Sequence, residues 1–334
     1  MLKRAIAVVI VVCLVTFAGT LAVHMNWSQR WNESSLANAH ELVVPRGAST
    51  NQVLIQLSQL GLIPDSRWYR KWRTILGLQQ AKAGEYVFPA GSTTAQIWSM
   101  LANGEVKQYS VTLVEGTNVY DVLAQLRGLE FLEYDIESTT PQALADELGF
   151  RVSSAEGRFA AETFYVTRGT KASDLLLDAN RELQSWLDEL DTAALEGLPL
   201  NTLDEVLILA SIVEKETALV SERPVIASVF IQRLRLGMRL QTDPTVIYGL
   251  LPDFNGNITR RDLRSHTPWN TYVIRGLPPT PIALVSRDAL RAVMVHEPTE
   301  YLYFVAKGDG SHYFSETLEE HNRAVRRYQL GQDN

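Results

Sequence analysis

Two acids and one polar tripeptide stand out in a chain with few other reactive clusters. Glu214 and Glu216 close a run from Thr202 to about Thr217 whose residues are apolar on nearly every side, and Gln241-Thr242-Asp243 follow just ahead of Pro244. A carboxylic acid set among apolar groups at the negative end of a helix dipole has its charged form disfavoured. Its pKa climbs toward the range in which it can give up a proton at neutral pH. The chemistry on offer is general acid catalysis.

The element that must deliver those acids is well signalled. Thr202 and Glu205 stand at capping-box spacing before Val206-Leu207-Ile208-Leu209-Ala210, which predicts a helix to about Thr217. Leu203, Val206, Leu207, Ile208, Leu209, Ile212 and Val213 then point in almost all directions, the pattern of a helix enclosed by protein. Residues two apart are turned by about 200°, so Glu214 and Glu216 cannot both face one cleft. A two-carboxylate glycosidase pair made of these two is disfavoured, because such a pair must flank one bond. Periodicity does not choose between them, and either is equally an ion-pair partner for Lys215 or Arg223. Beyond the helix, Pro244 biases Asp243 away from helical geometry and predicts a turn.

Three strings around these residues carry a resemblance. Ala210-Ser211-Ile212-Val213-Glu214-Lys215-Glu216-Thr217, Ala227-Ser228-Val229-Phe230-Ile231-Gln232-Arg233-Leu234 and Met238-Arg239-Leu240-Gln241-Thr242-Asp243-Pro244-Thr245-Val246-Ile247-Tyr248-Gly249 closely resemble the YceG-like endolytic murein transglycosylases. Asn270-Thr271-Tyr272, Gly276-Leu277-Pro278-Pro279, Tyr301 to Ala306, Gly310 to Phe314 and His321-Asn322 extend the likeness over essentially the whole chain, most strongly from Leu209 onward. Two departures stand out. Ala161 and Glu162 replace the proline and aspartate usual in the family's E-G-x-F-x-P-D-T segment, and Ile282 to Ser286 lack its Asn-Pro-Gly turn.

The resemblance implies that the second glutamate of E-K-E-T, Glu216, is catalytic. It implies cleavage of the bond between N-acetylmuramic acid and N-acetylglucosamine within nascent glycan strands, giving 1,6-anhydro ends. One acid suffices for that reaction, since the muramyl C6 hydroxyl replaces water as nucleophile. Glu216 would protonate the departing oxygen and then accept the C6 hydroxyl proton. Gln241, Thr242 and Asp243 are candidates to converge on the cleft, with Tyr248, Asn270, Thr271 and Tyr272 offering hydrogen bonds and flat surfaces for sugar rings. Ordinary turn chemistry and half-buried core are the competing readings of these seven. Glu156 is the candidate second carboxylate, or else a loop partner of Arg158 or Arg168. A muramidase using Glu216 with Asp243 or Glu156, and a non-catalytic glycan-binding scaffold, are the alternatives. Peptidoglycan glycan strands are the expected partner, and the resemblance suggests glycan-polymerising synthases and the elongation or division machinery as others.

The chain's beginning says where this would happen. Lys3-Arg4 precede an uncharged stretch from Ala5 to Val23, long enough for one membrane-spanning helix. A cleaved signal peptide competes, but its apolar core is usually shorter and the sequence before His24 offers only poor cleavage sites. The expectation is a cytoplasmic tail at residues 1–4, a signal anchor at 5–23 in the bacterial inner membrane, a juxtamembrane linker at 24–38 and a periplasmic remainder. Trp27 and Trp31 would form an interfacial collar, or else belong to the first domain's core.

At 334 residues and 46% apolar content the exported part can pack one or two domains. The formal charge of −7 argues against nucleic acid and against a polybasic lipid-binding surface. The single cysteine, Cys13, leaves no disulfide for the exported part. The six histidines show no metal-ligand spacing, and neither a G-x-S-x-G elbow nor a P-loop occurs. No metal or cofactor is expected, and His312 and His321 read as structural residues.

The predicted fold class is α+β: the membrane helix, a small LysM-like α/β subdomain at 39–108, then a catalytic domain at 109–330 built round a buried catalytic helix. Strand-turn-helix units recur faintly, with Pro45-Arg46-Gly47 matching Pro89-Ala90-Gly91 and Glu115-Gly116-Thr117 opening a third. The LysM-like part binds glycan or acts as a spacer. Further helices are expected from Asp174 to Leu190, from Arg223 to Leu236 and from about Ser315 to Tyr328, with strands at Tyr301 to Val305 and His312 to Phe314.

Overall fold

The computed structural model describes residues 2–32, 36–63, 66–72 and 78–331. Met1 of the expected tail and residues 33–35 of the expected linker lie outside the described residues, as does the side chain of Trp27. The chain divides into two compact units, Met1–Tyr109 and Ser110–Asn334.

The first unit runs α1 (Leu2–Asn32), β1 (His40–Val44), α2 (Thr50–Gln59), α3 (Ser66–Trp72), β2 (Gly84–Phe88) and α4 (Thr94–Asn103). The strands pair antiparallel, with His40 opposite Phe88 and Val44 opposite Gly84. Both Pro-x-Gly turns lead into reciprocal capping boxes, Ser49 with Gln52 and Thr93 with Gln96, so the repeated sequence skeleton is a repeated way of starting a helix. Leu42, Leu54, Tyr86, Phe88 and Ile97 form the core. Trp31 packs against that core with its ring 5.0 Å from Tyr69, so of its two expected places the structure selects the domain core. Along α1, Val9, Val11, Leu14, Val15 and Phe17 are all more than half exposed. Among the described residues no helix is long and apolar enough to cross a membrane, so the span expected at 5–23 rests on the sequence.

The boundary falls after the first residue of β3 (Tyr109–Thr112), and the second unit continues α5 (Val119–Arg127), β4 (Leu132–Glu133), α6 (Pro141–Glu147), β5 (Thr163–Val166), β6 (Thr170–Lys171), α7 (Ala172–Asp188), α8 (Leu203–Glu216), α9 (Arg223–Arg235), α10 (Asp243–Gly249), α11 (Arg287–Met294), β7 (Tyr303–Ala306), β8 (His312–Ser315) and α12 (Leu318–Tyr328). Its strands form two-stranded ribbons, β3 with β5, β4 with β6 and β7 with β8. Mixed helices and small sheets make the fold α+β.

α8 is the hub. Every residue from Val206 to Glu214 is buried, against Leu183 and Trp186 of α7, Ile226 and Phe230 of α9, and Leu290 and Val293 of α11. Each fully buried Leu or Ile here contributes about 1.5–3 kcal/mol, which makes α8 a rigid mount. Thr202 caps it by accepting from the Glu205 N–H at 3.2 Å, while the Glu205 carboxylate turns back to Asn201, one residue earlier than a capping box requires. The extended backbone of Thr217 ends the helix one residue after Glu216.

One local expectation is corrected. Asp243 does not lie in a turn but opens α10, because Pro244 falls in that helix's first turn, where its missing N–H costs nothing.

Candidate active site

Glu214 and Glu216 part company as their 200° separation requires. Glu214 is buried and engaged on both oxygens: Arg223 Nη2 donates to Oε1 at 2.5 Å, and the Ser286 N–H and hydroxyl donate to Oε2 at 2.9 and 2.6 Å. It ties α8 to α9 and α11. Glu216, half-buried, turns instead into a cleft of about 490 Å³. Burial holds its carboxyl above the usual carboxylate range, and the Asp243 charge pushes the same way. The Thr242 hydroxyl, which donates to Glu216 Oε1, and the Arg233 charge pull it back.

The segment carrying Thr242 is held with care. Gln241 adopts φ +51, a left-handed conformation that a side-chain-bearing residue keeps only when its surroundings enforce it. Those surroundings are Thr271 and Arg233. The Gln241 N–H donates to Thr271 O at 3.2 Å and the Thr242 N–H to Thr271 Oγ1 at 3.1 Å, while Thr271 Oγ1 also meets Thr245 Oγ1 at 2.8 Å. Arg233 donates to Leu240 O and to Leu302 O, each at 2.7 Å, joining this segment to β7. Asp243, the next residue, accepts from the Tyr272 hydroxyl at 2.7 Å. Burial and that aspartate both raise the Tyr272 pKa, keeping it a neutral donor.

Of the sequence candidates, Glu216, Gln241, Thr242, Asp243 and Tyr272 line the one cleft. Asn270 and Thr271 sit behind it: Asn270 Nδ2 donates to Asp262 O and Ser265 O at 3.1 and 2.7 Å, and its Oδ1 accepts from the Tyr272 N–H. Tyr248 is buried against Trp269, with ring centroids 5.4 Å apart, and hydrogen-bonds Glu156. Glu156 itself is fully buried at the start of α5, accepting from the Val119 N–H at 3.1 Å and the Gly157 N–H at 3.3 Å. Neither Glu156 nor Tyr248 is among the cleft-lining residues.

The cleft also contains residues that sequence reasoning did not nominate. Arg233 stacks over Tyr303 at 5.2 Å, and Tyr303 stacks on His321 at 5.3 Å. His312 is bound by Glu222, Nδ1 to Oε2 at 2.7 Å and backbone N–H to Oε1 at 2.9 Å. All but Glu222 line the cleft. Their signal was present, since Arg233, Tyr303, His312 and His321 all fall in the strings that carry the family likeness. Nothing local to those residues marks them as cleft-lining. Among the described residues no group of three or more His, Cys, Asp or Glu is placed to hold a metal ion.

Fold and site together define a mixed α+β protein whose enclosed central helix presents one carboxylic acid to a polar cleft. The chain belongs to the YceG-like family, whose model matches residues 42–327. An endolytic murein transglycosylase of Bacillus subtilis (strain 168) is 26% identical over 304 residues, covering 85% of this chain and 83% of that protein. One of Streptococcus pneumoniae (strain ATCC BAA-255 / R6) is 26% identical over 325 residues, covering 84% of this chain and 57% of that protein. The crystal structure of a yceG-like protein from Listeria monocytogenes matches with TM-score 0.54 and 25% identity, over 86% of this chain and 99% of that one.

Proposed function

We propose that this protein is a peptidoglycan lytic endotransglycosylase with Glu216 as its acid, cutting the muramyl glycosidic bond inside glycan strands and closing the 1,6-anhydro ring. The observation that carries the reading is Glu216 itself. It is the acid of a rigid, enclosed helix, turned into an open cleft, with its proton retained by burial and by Asp243. The relatives named endolytic murein transglycosylases support the substrate and the bond. Glu216 gives its proton to the departing oxygen, and the resulting carboxylate receives the C6 hydroxyl proton as that oxygen attacks the anomeric carbon. Arg233 and Tyr303 supply a flat, cationic wall suited to sugar rings and their acyl groups.

A hydrolase is the rival that one observation favours, because Asp243 lines the same cleft. Against it, the Tyr272 hydroxyl already occupies Asp243 Oδ1. Mass spectrometry of uncrosslinked glycan strands digested by the full chain in detergent separates the two. Internal 1,6-anhydromuramyl ends that vanish in a folded Glu216→Gln variant support the transglycosylase. Free reducing ends make it a muramidase, and no cleavage at all leaves a binding protein.

The anchor belongs to the same proposal. Lys3-Arg4 ahead of Ala5 to Val23, and the exposed apolar side chains of α1, support one inner-membrane span with the rest of the chain periplasmic. Detergent-phase partitioning of the full chain, lost on removing residues 1–23, is the expected result. The LysM-like reading of residues 39–108 is supported by the strand-helix-helix-strand order of β1, α2, α3 and β2. Contact with synthases or the division machinery remains part of the proposal on the family likeness alone.

A further inference from the structure

Glu222 and His312 form a fixed pair that the acid mechanism leaves without a task. Glu222 ends the short helical turn Val220–Glu222, a few residues beyond Glu216 in sequence. Its carboxylate receives both the backbone N–H and Nδ1 of His312, at 2.9 and 2.7 Å. The Phe304 ring meets the imidazole edge-on at 5.5 Å, and Phe314 lies against it at 6.4 Å. The ring is therefore locked in rotation, with both members of the pair largely buried. An ionised carboxylate only accepts, so Nδ1 carries a proton, and the ring in its neutral form has Nε2 as its lone pair. That nitrogen has no hydrogen-bond partner among the described residues and is not enclosed, and the ring lines the cleft that holds Glu216.

We propose that His312 is the residue that receives the acetamido N–H of the muramyl sugar, with Glu222 as its positioning residue. The proposal rests on the transglycosylase reading. As Glu216 protonates the glycosidic oxygen, the bond from C1 to that oxygen breaks and the acetamido carbonyl oxygen bonds to C1, giving an oxazolinium ring. Its N–H is now strongly polarised, and Nε2 accepts a hydrogen bond from it while Glu222 stabilises the positive charge through the imidazole. The C6 oxygen then bonds to C1, the bond from C1 to the acetamido oxygen breaks, and the C6 hydroxyl proton passes to Glu216. The N–H proton stays on nitrogen throughout, and Glu216 ends as it began. The interaction strengthens only when charge develops, so it acts on kcat more than on binding.

The test uses the full chain in detergent with two probes: the thiazoline of N-acetylmuramic acid, which protonates at nitrogen like the oxazolinium, and the neutral-amide disaccharide of N-acetylglucosamine and N-acetylmuramic acid. His312→Ala is expected to lower kcat on glycan strands and thiazoline affinity by about 10- to 100-fold, the range of a hydrogen bond to a charged group, and to change disaccharide affinity less than threefold. His312→Gln, whose amide oxygen can take the acceptor's place, is expected to recover part of both losses. Glu222→Gln should fall between wild type and His312→Ala. Equal losses for both probes would mean a merely structural role and overturn the proposal, as would unchanged values in all three variants. If His312→Ala melts at a lowered temperature, His312→Gln and Glu222→Gln carry the test. A wild-type chain that makes no anhydro ends sinks the transglycosylase reading and this with it, whereas an active wild type matched by His312→Ala sinks the acetamido assignment alone.

Discussion

Thr242 holds Glu216 across 26 residues of sequence, its hydroxyl donating to the acid's Oε1. That bond favours the carboxylate, and the neighbouring Asp243 charge favours the neutral acid. The side chain that steadies the acid and the one that keeps it protonated are thus consecutive in sequence. Opposite effects on pH dependence follow.

Glu216 must start protonated, so activity should fall as pH rises through its raised pKa. Thr242→Val removes a donor to the carboxylate and should move that falling limb to higher pH. Asp243→Asn removes a like charge and should move it lower. Profiles of kcat/KM against pH for the two variants check this, and shifts in the same direction would refute it.

Glu216→Gln is expected to cost 10²- to 10⁴-fold or more in rate and nothing in stability. A carboxyl whose folded pKa is raised weakens the fold as pH climbs through that pKa. The variant's melting temperature at pH 8 should therefore equal or exceed that of wild type, which calorimetry reads directly.

Glu214→Ala should behave in the opposite way. It leaves Arg223 buried without its carboxylate and strips Ser286 of an acceptor, so a loss of about 3–5 kcal/mol is expected from denaturant unfolding. Two glutamates of one four-residue motif thus separate into one that costs stability and one that costs rate.

Glu156 is a further test of burial. Desolvation pushes its carboxyl up from 4.5 to about 8, against the pull of the Val119 and Gly157 amides. The folded state then holds a proton that the unfolded state has lost between those values. Stability should fall as pH rises from about 5 to 8, by up to about 1.4 kcal/mol per pH unit. Glu156→Gln should flatten that slope, whatever its absolute melting temperature.

Gly157→Ala should destabilise the same corner. Its φ of +68 is left-handed, and a β-carbon there would lie 2.4 Å from Pro281 Cβ. A loss of at least about 1–3 kcal/mol in chemical unfolding is expected, with no variant side chain reaching the cleft.

The sequence by itself determined the long helices and the acid's mount. The all-round apolar pattern from Leu203 to Val213 and the Thr202 cap are local facts, and α8 follows them closely. The same holds for α7 and α9, whose periodicity is a property of consecutive residues. At Asp243 a local rule misled, since a proline that discourages helix before it is also a natural first-turn residue. Only the tertiary structure decided which glutamate faces the cleft, because rotation along a helix separates two residues but does not say which side is open. The same holds for Glu156 and Tyr248, whose polar groups satisfy each other inside the protein, and for Arg233, Tyr303 and His312, which come from α9, β7 and β8. Their meeting depends on packing between elements far apart in sequence, and local propensity carries no information about that.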